Sequence, residues 1–324
     1  MAIIVQKFGG TSVADAASRA NVFKKIRQEL DKGNNPVVVV SAMGRRGAPY
    51  ATDTLLDLVP GAAADLSALI ASCGEIISAC IVANCLNADG IPASALTAYT
   101  AGIMAEGPYD AAKPETIQTA NLEALIKSGI VPVVTGFQGV LPDSSIATLG
   151  RGGSDTTAVA LGAWLHAEYV DIFTDVPGVA MTDPRIIPEA PFLSFLDYQS
   201  MVRLSAHGSK VLQDLSARIA MEKKVRVRIR STFDDLPGTL IGPCHDNEQT
   251  GLAGITVKDK DDNLSLLTLV YKTETDAAAA CKIAEQLNVN VNPSDDPNVV
   301  SFYFPKDQVK GALLTILSPY MKKE

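Results

Sequence analysis

An α/β sandwich with a mainly parallel sheet, followed by a small α+β module, is the fold this sequence predicts, and three observations predict it. Apolar β-branched runs such as Val37–Val40 and Val131–Thr135 lack polar alternation. Such runs belong to strands covered on both faces, as in a parallel sheet between helices. They alternate with helical stretches, which is the α/β pattern. From residue 255 on, the pattern changes to two strands around a tight polar turn.

Taken in order, Ile3–Lys7 is a short apolar strand ending at Gly9-Gly10, and a helical pattern runs from Asp15 to Asp31. The turn Gly33-Asn34-Asn35-Pro36 precedes Val37–Val40. Helices are expected over 62–87 and 115–128, then the strand Val131–Thr135 after Gly129, a helix over 154–166 and the strand Tyr169–Thr174. A basic strand, Val225–Arg230, leads to a turn at 234–238 and a polar linker at 245–250. Beyond it, Ile255–Lys258 and Leu264–Tyr271 flank a turn at 260–263. A helix over 275–287, strands near 289–292 and 299–304, and a helix over 306–317 follow. With its first strand moved to the end, this tail reads βαββαβ, the ferredoxin-like order. The initial strand, hairpinned to the next, then fills the edge position of the final one. The expected domains are 1–244 and 250–324.

Composition excludes several classes. The 324 residues carry a net charge of −8 and no basic stripe with interleaved aromatics, so nucleic acid is not an expected partner. The five cysteines and three histidines form no metal-ligand spacing. An odd cysteine count without a signal peptide fits a reduced, cytoplasmic setting. Ala68–Leu86 is apolar enough to pass for a membrane span, but Glu75 near its middle would be costly in lipid. The expectation is a buried helix of a soluble protein presenting Glu75 into a site, with no membrane partner.

Three glycine-bearing segments carry the chemistry. Lys7-Phe8-Gly9-Gly10-Thr11-Ser12 places a strand, two glycines and a helix start in succession. Backbone amides of Gly9 and Gly10 can approach phosphate oxygens there, with Lys7 as a point charge. The same residues also describe a plain turn capped by Thr11 or Ser12. Gly150-Arg151-Gly152-Gly153-Ser154-Asp155 opens another helix. Arg151 can hold a carboxylate in a bidentate fashion and Asp155 can orient lysines, although Ser154 or Asp155 as a simple helix cap describes the segment equally well. Thr174-Asp175-Val176-Pro177-Gly178, closing with Thr182-Asp183-Pro184-Arg185, follows a strand end, where ligands collect in α/β folds, although an ordinary capped loop also describes this piece taken alone. Ser41 ends the second strand, Thr52 lies shortly after it, and Lys210 stands at an expected helix start. Phosphoryl transfer suits this set, because it needs positioning and charge neutralisation more than a nucleophilic side chain.

The motifs KFGGTSV (7–13), VVVVSAMG (37–44), GEIIS (74–78), TLGRGGSDTTA (148–158), FTDVPG (173–178), TDPR (182–185) and HGSKVL (207–212) together resemble the aspartate kinase family. The resemblance implies the three-layer amino-acid kinase sandwich and a single ACT-type module in the tail. It implies ATP with Mg²⁺ and phosphorylation of the side-chain carboxylate of L-aspartate to 4-phospho-L-aspartate. Lys7, Asp155 and Lys210 would be catalytic. Ser41, Thr52, Glu75, Arg151 and Ser154 would hold aspartate, with Glu75 on its ammonium and Arg151 on a carboxylate. Gly9, Gly10, Thr174, Asp175 and Arg185 would meet nucleotide alongside Lys7 and Lys210. A homodimer is expected by analogy with ACT-type modules.

The sequence departs from the family at Ala180, where an aromatic is usual, and at Gln213, where a histidine is usual. A single ACT-type module implies a pathway-dedicated copy with reduced feedback control. Two rival readings are a kinase for another small carboxylate, carbamate or phosphonate, and a non-catalytic amino-acid sensor. Glu75 paired with Arg151 speaks against the first, and retention of Lys7, Asp155 and Lys210 against the second.

Overall fold

The computed structural model describes residues 1–244, 251–261, 263–274, 276, 278, 289, 291–292 and 294–321. The expected linker at 245–250 and most of the expected helix over 275–287 lie outside them.

The described strands are β1 (Ile3–Phe8), β2 (Asn35–Val40), β3 (Ala93–Leu96), β4 (Ile103–Glu106), β5 (Lys113–Ile117), β6 (Val131–Thr135), β7 (Gln138–Val140), β8 (Ile146–Thr148), β9 (Tyr169–Thr174), β10 (Phe195–Asp197), β11 (Val227–Ser231), β12 (Thr239–Gly242), β13 (Leu252–Asp259), β14 (Leu264–Tyr271), β15 (Val291–Asn292) and β16 (Val299–Pro305). The described α-helices are α1 (Gly10–Val13), α2 (Ala16–Asp31), α3 (Thr52–Leu56), α4 (Ala64–Ala88), α5 (Ala120–Lys127), α6 (Gly153–Trp164), α7 (Tyr198–Ala206), α8 (Asp214–Lys223) and α9 (Val309–Leu317).

Two compact units form, Met1–Pro177 with Arg218–Pro237, and Gly178–Ala217 with Gly238–Glu324. This differs from the division expected between 244 and 250. Residues 178–217 and 238–244 go with the tail because Met181, Ile187 and Ala190 share one apolar cluster with Leu252, Ile255, Leu267, Phe302 and Leu313.

In the first unit six strands run parallel in the order β11-β9-β1-β2-β6-β3. Side chains alternate across each strand. Phe8, Val38, Val40 and Phe173 therefore join Val22 and Ile26 of α2 and Ala79, Val82 and Leu86 of α4 in one core. Lys7, next to Phe8, points to the opposite face, where α6 lies. Residues 153–162 of α6 are all buried. Among the described residues only α4 is long and apolar enough to cross a membrane, and half of its most apolar window is buried within the protein.

A second sheet of this unit, in the order β5-β4-β7-β8, was not anticipated. It also corrects the helix expected over 115–128. Lys113–Ile117 pairs antiparallel with β4, and the helix starts at Ala120. The tail sheet is antiparallel in the order β13-β14-β16-β15, which puts the initial strand at the edge, as the permuted ferredoxin-like reading requires.

A polar layer crosses the α2 side of the main sheet. Asp171 on β9 is fully buried opposite Arg228 on β11, which grips it through Nε at 2.5 Å and Nη2 at 2.8 Å. Arg230 approaches the same carboxylate at 3.5 Å, and the Arg228 guanidinium stacks on Tyr169.

Candidate functional site

The C-terminal ends of β1 and β2, the helices α3 and α4, and the loop entering α6 enclose a cavity of about 490 Å³. Seven of the expected residues line it: Lys7, Ser41, Thr52, Glu75, Arg151, Ser154 and Asp155. Lys7 and Ser41 arrive at the ends of the parallel strands β1 and β2. Thr52 and Glu75 arrive on α3 and α4, and Arg151, Ser154 and Asp155 on the segment leading from β8 into α6.

Lys7 Nζ lies 2.7 Å from Asp155 Oδ1, both side chains being 12% exposed. The carboxylate sits in the first turn of α6 and fixes where the ammonium stands. Lys7 is thus held at the cavity wall by one ion pair. The loop before α6 turns on Gly150 and Gly152, both left-handed at φ +68°, a conformation that costs other residues dearly. That turn exposes Arg151 on the cavity rim, where it forms no ion pair or hydrogen bond among the described residues.

Glu75 is the other anchor. A Cβ on Gly74 would come within 2.8 Å of Ala42 Cβ and the Tyr50 carbonyl, so only glycine lets α4 close onto this loop. The approach brings Glu75 Oε1 to the Ala42 N–H at 3.0 Å, while the buried Oε2 has no hydrogen-bond partner among the described residues. Burial pushes the Glu75 carboxyl up to about 8, against the smaller opposing pull of the Ala42 N–H.

Gly9 and Gly10 end β1 as expected, but their backbone is engaged. The Gly9 N–H donates to the Phe173 carbonyl at 3.4 Å, and the Gly10 carbonyl accepts from Gly44 N–H at 2.9 Å. Thr174 and Asp175 follow β9, where Thr174 Oγ1 donates to Asp175 Oδ1 at 3.1 Å. Arg185 and Lys210 belong to the second unit. There the Arg185 guanidinium forks onto Asp183, with Nη2 at 2.5 Å, and holds that carboxyl below its usual range. Lys210, expected at a helix start, lies in the connection before α8, since Gly208 turns the chain at φ +111°. Ala180 is partly buried against the second unit's core.

Sequence reasoning missed three residues. Arg45 pairs with Asp175 at 2.7 Å and so occupies one residue assigned to nucleotide. Its position directly after the SAMG segment at a strand end was the available signal. Phe137 lines the cavity with φ +70°, rare for a bulky residue, and its N–H donates to Thr157 Oγ1 at 3.0 Å. Asp110 reaches the rim from the unanticipated second sheet, and no local signal marked it.

Comparison with known proteins identifies the family of the chain. Residues 2–231 match the amino acid kinase family. Aspartokinase 1 of Bacillus subtilis is 42% identical over 252 residues, covering 76% of this chain and 62% of that protein. The aspartokinase of Thermus thermophilus is 35% identical over 333 residues, covering 97% and 79%. Among solved structures, aspartate kinase from Synechocystis superposes with a TM-score of 0.65 at 31% identity, covering all of this chain and 56% of that one. The chain thus spans only part of these relatives' length.

Proposed function

From the premise that this chain belongs to the amino acid kinase family, among its aspartokinases, we propose that it catalyses ATP-dependent phosphorylation of the side-chain carboxylate of L-aspartate. One observation carries the proposal. A single cavity holds a cation, Arg151, without a partner among the described residues, a buried carboxyl, Glu75, with one oxygen unengaged among them, and an oriented ammonium, Lys7. The first two make a clamp for a zwitterion, which a plain dicarboxylate or carbamate has no need of.

In this reading Arg151 takes a carboxylate, Glu75 the ammonium, and Ser41, Thr52 and Ser154 line the remaining walls. A side-chain carboxylate oxygen attacks the γ-phosphorus of ATP, supplied as its Mg²⁺ complex, as the bond to the β,γ-bridging oxygen breaks. ADP leaves, and an acyl phosphate, 4-phospho-L-aspartate, remains. No general base is needed, since the carboxylate is already ionised. Lys7 neutralises charge on the transferring group, while Asp155 keeps it in place. Gly9, Gly10, Thr174, Asp175, Arg185 and Lys210 are proposed for the nucleotide. Arg45 would have to release Asp175 for that residue to take part. A homodimer in the cytoplasm is proposed with this activity. The dimer is proposed by analogy with ACT-type modules, which commonly pair with a second copy.

The test is ATP turnover with Mg²⁺ and L-aspartate in hydroxylamine, which traps the acyl phosphate as a hydroxamate. Aspartate-dependent hydroxamate is the expected result. A folded chain that binds ATP and yields none would move the assignment to another substrate. Arg151→Ala is expected to raise KM for aspartate by about 10²-fold, the worth of a lost charged bidentate contact. An unchanged KM would remove Arg151 from the clamp.

A further inference from the structure

The state of Glu75 before substrate arrives is set by its surroundings. It is 2% exposed in the middle of α4, with one N–H donor on Oε1 and, among the described residues, nothing on Oε2. An ionised carboxylate in such a place lacks both solvent and a counter-ion. The charged groups lining the same cavity are Lys7 on β1, Asp53 on α3, Asp110 ahead of β5, Arg151 before α6 and Asp155 on α6. Lys7 and Asp155 are committed to each other. None of the five contributes to the shift on Glu75, which burial dominates. β2 and its following loop offer the carboxyl only the Ala42 N–H.

We propose that the cavity takes its amino-acid substrate by proton exchange, Glu75 standing as a neutral acid when empty and losing its proton as the substrate ammonium seats against it. The inference rests on the proposed function, deepening the role given there to Glu75. The balance is simple. Glu75–COOH and R–NH₃⁺ give the ion pair Glu75–COO⁻···⁺H₃N–R, and one proton leaves to solvent. The arriving ammonium supplies the counter-charge and the donors that the orphaned oxygen lacks, so the charged form becomes the stable one. The neutral acid also avoids a buried, unpaired charge in the empty enzyme.

Linkage fixes the sign. Binding that releases a proton strengthens as pH rises, and levels off once Glu75 is ionised in the free enzyme. With the free carboxyl at about 8, Kd for L-aspartate is expected to fall about tenfold from pH 6 to pH 7 and to flatten above pH 8.

The decisive experiment is calorimetric titration of the intact chain with L-aspartate at pH 7, in phosphate and in Tris, whose ionisation enthalpies differ widely. About 0.9 proton should be released per aspartate bound, given a carboxyl near 8. Succinate, which lacks the ammonium, should release none. Glu75→Gln should bind aspartate more weakly, with no release and a flat pH profile. Aspartate binding with no proton released by the wild-type chain overturns the inference and leaves the kinase assignment standing. If aspartate fails to bind but another α-amino acid binds with release of a proton, the exchange is upheld and the aspartate assignment falls. If no α-amino acid binds, both fall.

Discussion

Lys7→Ala is expected to lower kcat by about 10³-fold, with the fold retained and KM for aspartate changed only a few-fold. Removing one preorganised donor to developing charge commonly costs 10²–10³-fold. Phosphoryl transfer leans on such charges more heavily than reactions with a covalent step. Lys7 stands on the central strand β1, between β2 and β9, and its ammonium is fixed by Asp155 at 2.7 Å. Lys7→Arg should recover little, because the guanidinium fork does not reproduce a compact point charge beside Asp155. Circular dichroism and thermal melting of both variants separate lost chemistry from lost fold. Turnover within tenfold of wild type for Lys7→Ala would remove Lys7 from the catalytic role.

The largest expected effect on stability lies away from the cavity. Asp171→Ala should destabilise the protein by about 3 kcal/mol, the lower end of the range for breaking a buried ion pair. Asp171 is fully buried, and its loss strands the guanidinium groups of Arg228 and Arg230 under the sheet. Those side chains keep some exposure, 25% and 14%, and can recover part of their hydration, which is why the lower end applies. Urea unfolding should show a lower midpoint with an unchanged slope. A change under 0.5 kcal/mol would mean that the arginines alone satisfy this layer.

Much of the parallel sheet was legible because strands such as β2 and β6 are continuous apolar runs, buried on both faces, with β-branched residues such as Val37–Val40. The second sheet was not. Its strands β7 and β8 have three residues each, and β5 carries exposed Lys113 and Glu115, so pairing alone makes it a strand. The helix expected there lost to that tertiary pairing. The division between units was hidden for a related reason. Met181 and Ile187 read locally as loop residues, and only their burial beside Phe302 and Leu313 assigns them to the tail. In the cavity, Lys7 at a strand end, Glu75 as the lone charge inside an apolar helix, and Arg151 and Asp155 in a glycine-rich helix entry were readable in the sequence, and the cavity brings them together. Phe137 and Asp110 were not, since their importance lies in a backbone angle and in a sheet the sequence did not announce. The ion pair of Arg45 with Asp175 is likewise a property of loops meeting in space.

The position of β1 has a consequence for how the protein comes to be folded. Lys7 lies opposite Val39 on one side and Ile172 on the other, and its ion-pair partner, Asp155, is far along the chain. Both pairings are parallel and non-local, so their loop-closure entropy is spent before any contact rewards it. The first strand made therefore completes its place in the sheet only after β9, synthesised much later, is available to pair with it. Loss of β1 removes Lys7 and splits the sheet at its centre, so the cavity does not survive it. Any ligand that occupies the cavity then protects the whole first unit against unfolding, by an amount that grows with the logarithm of its concentration.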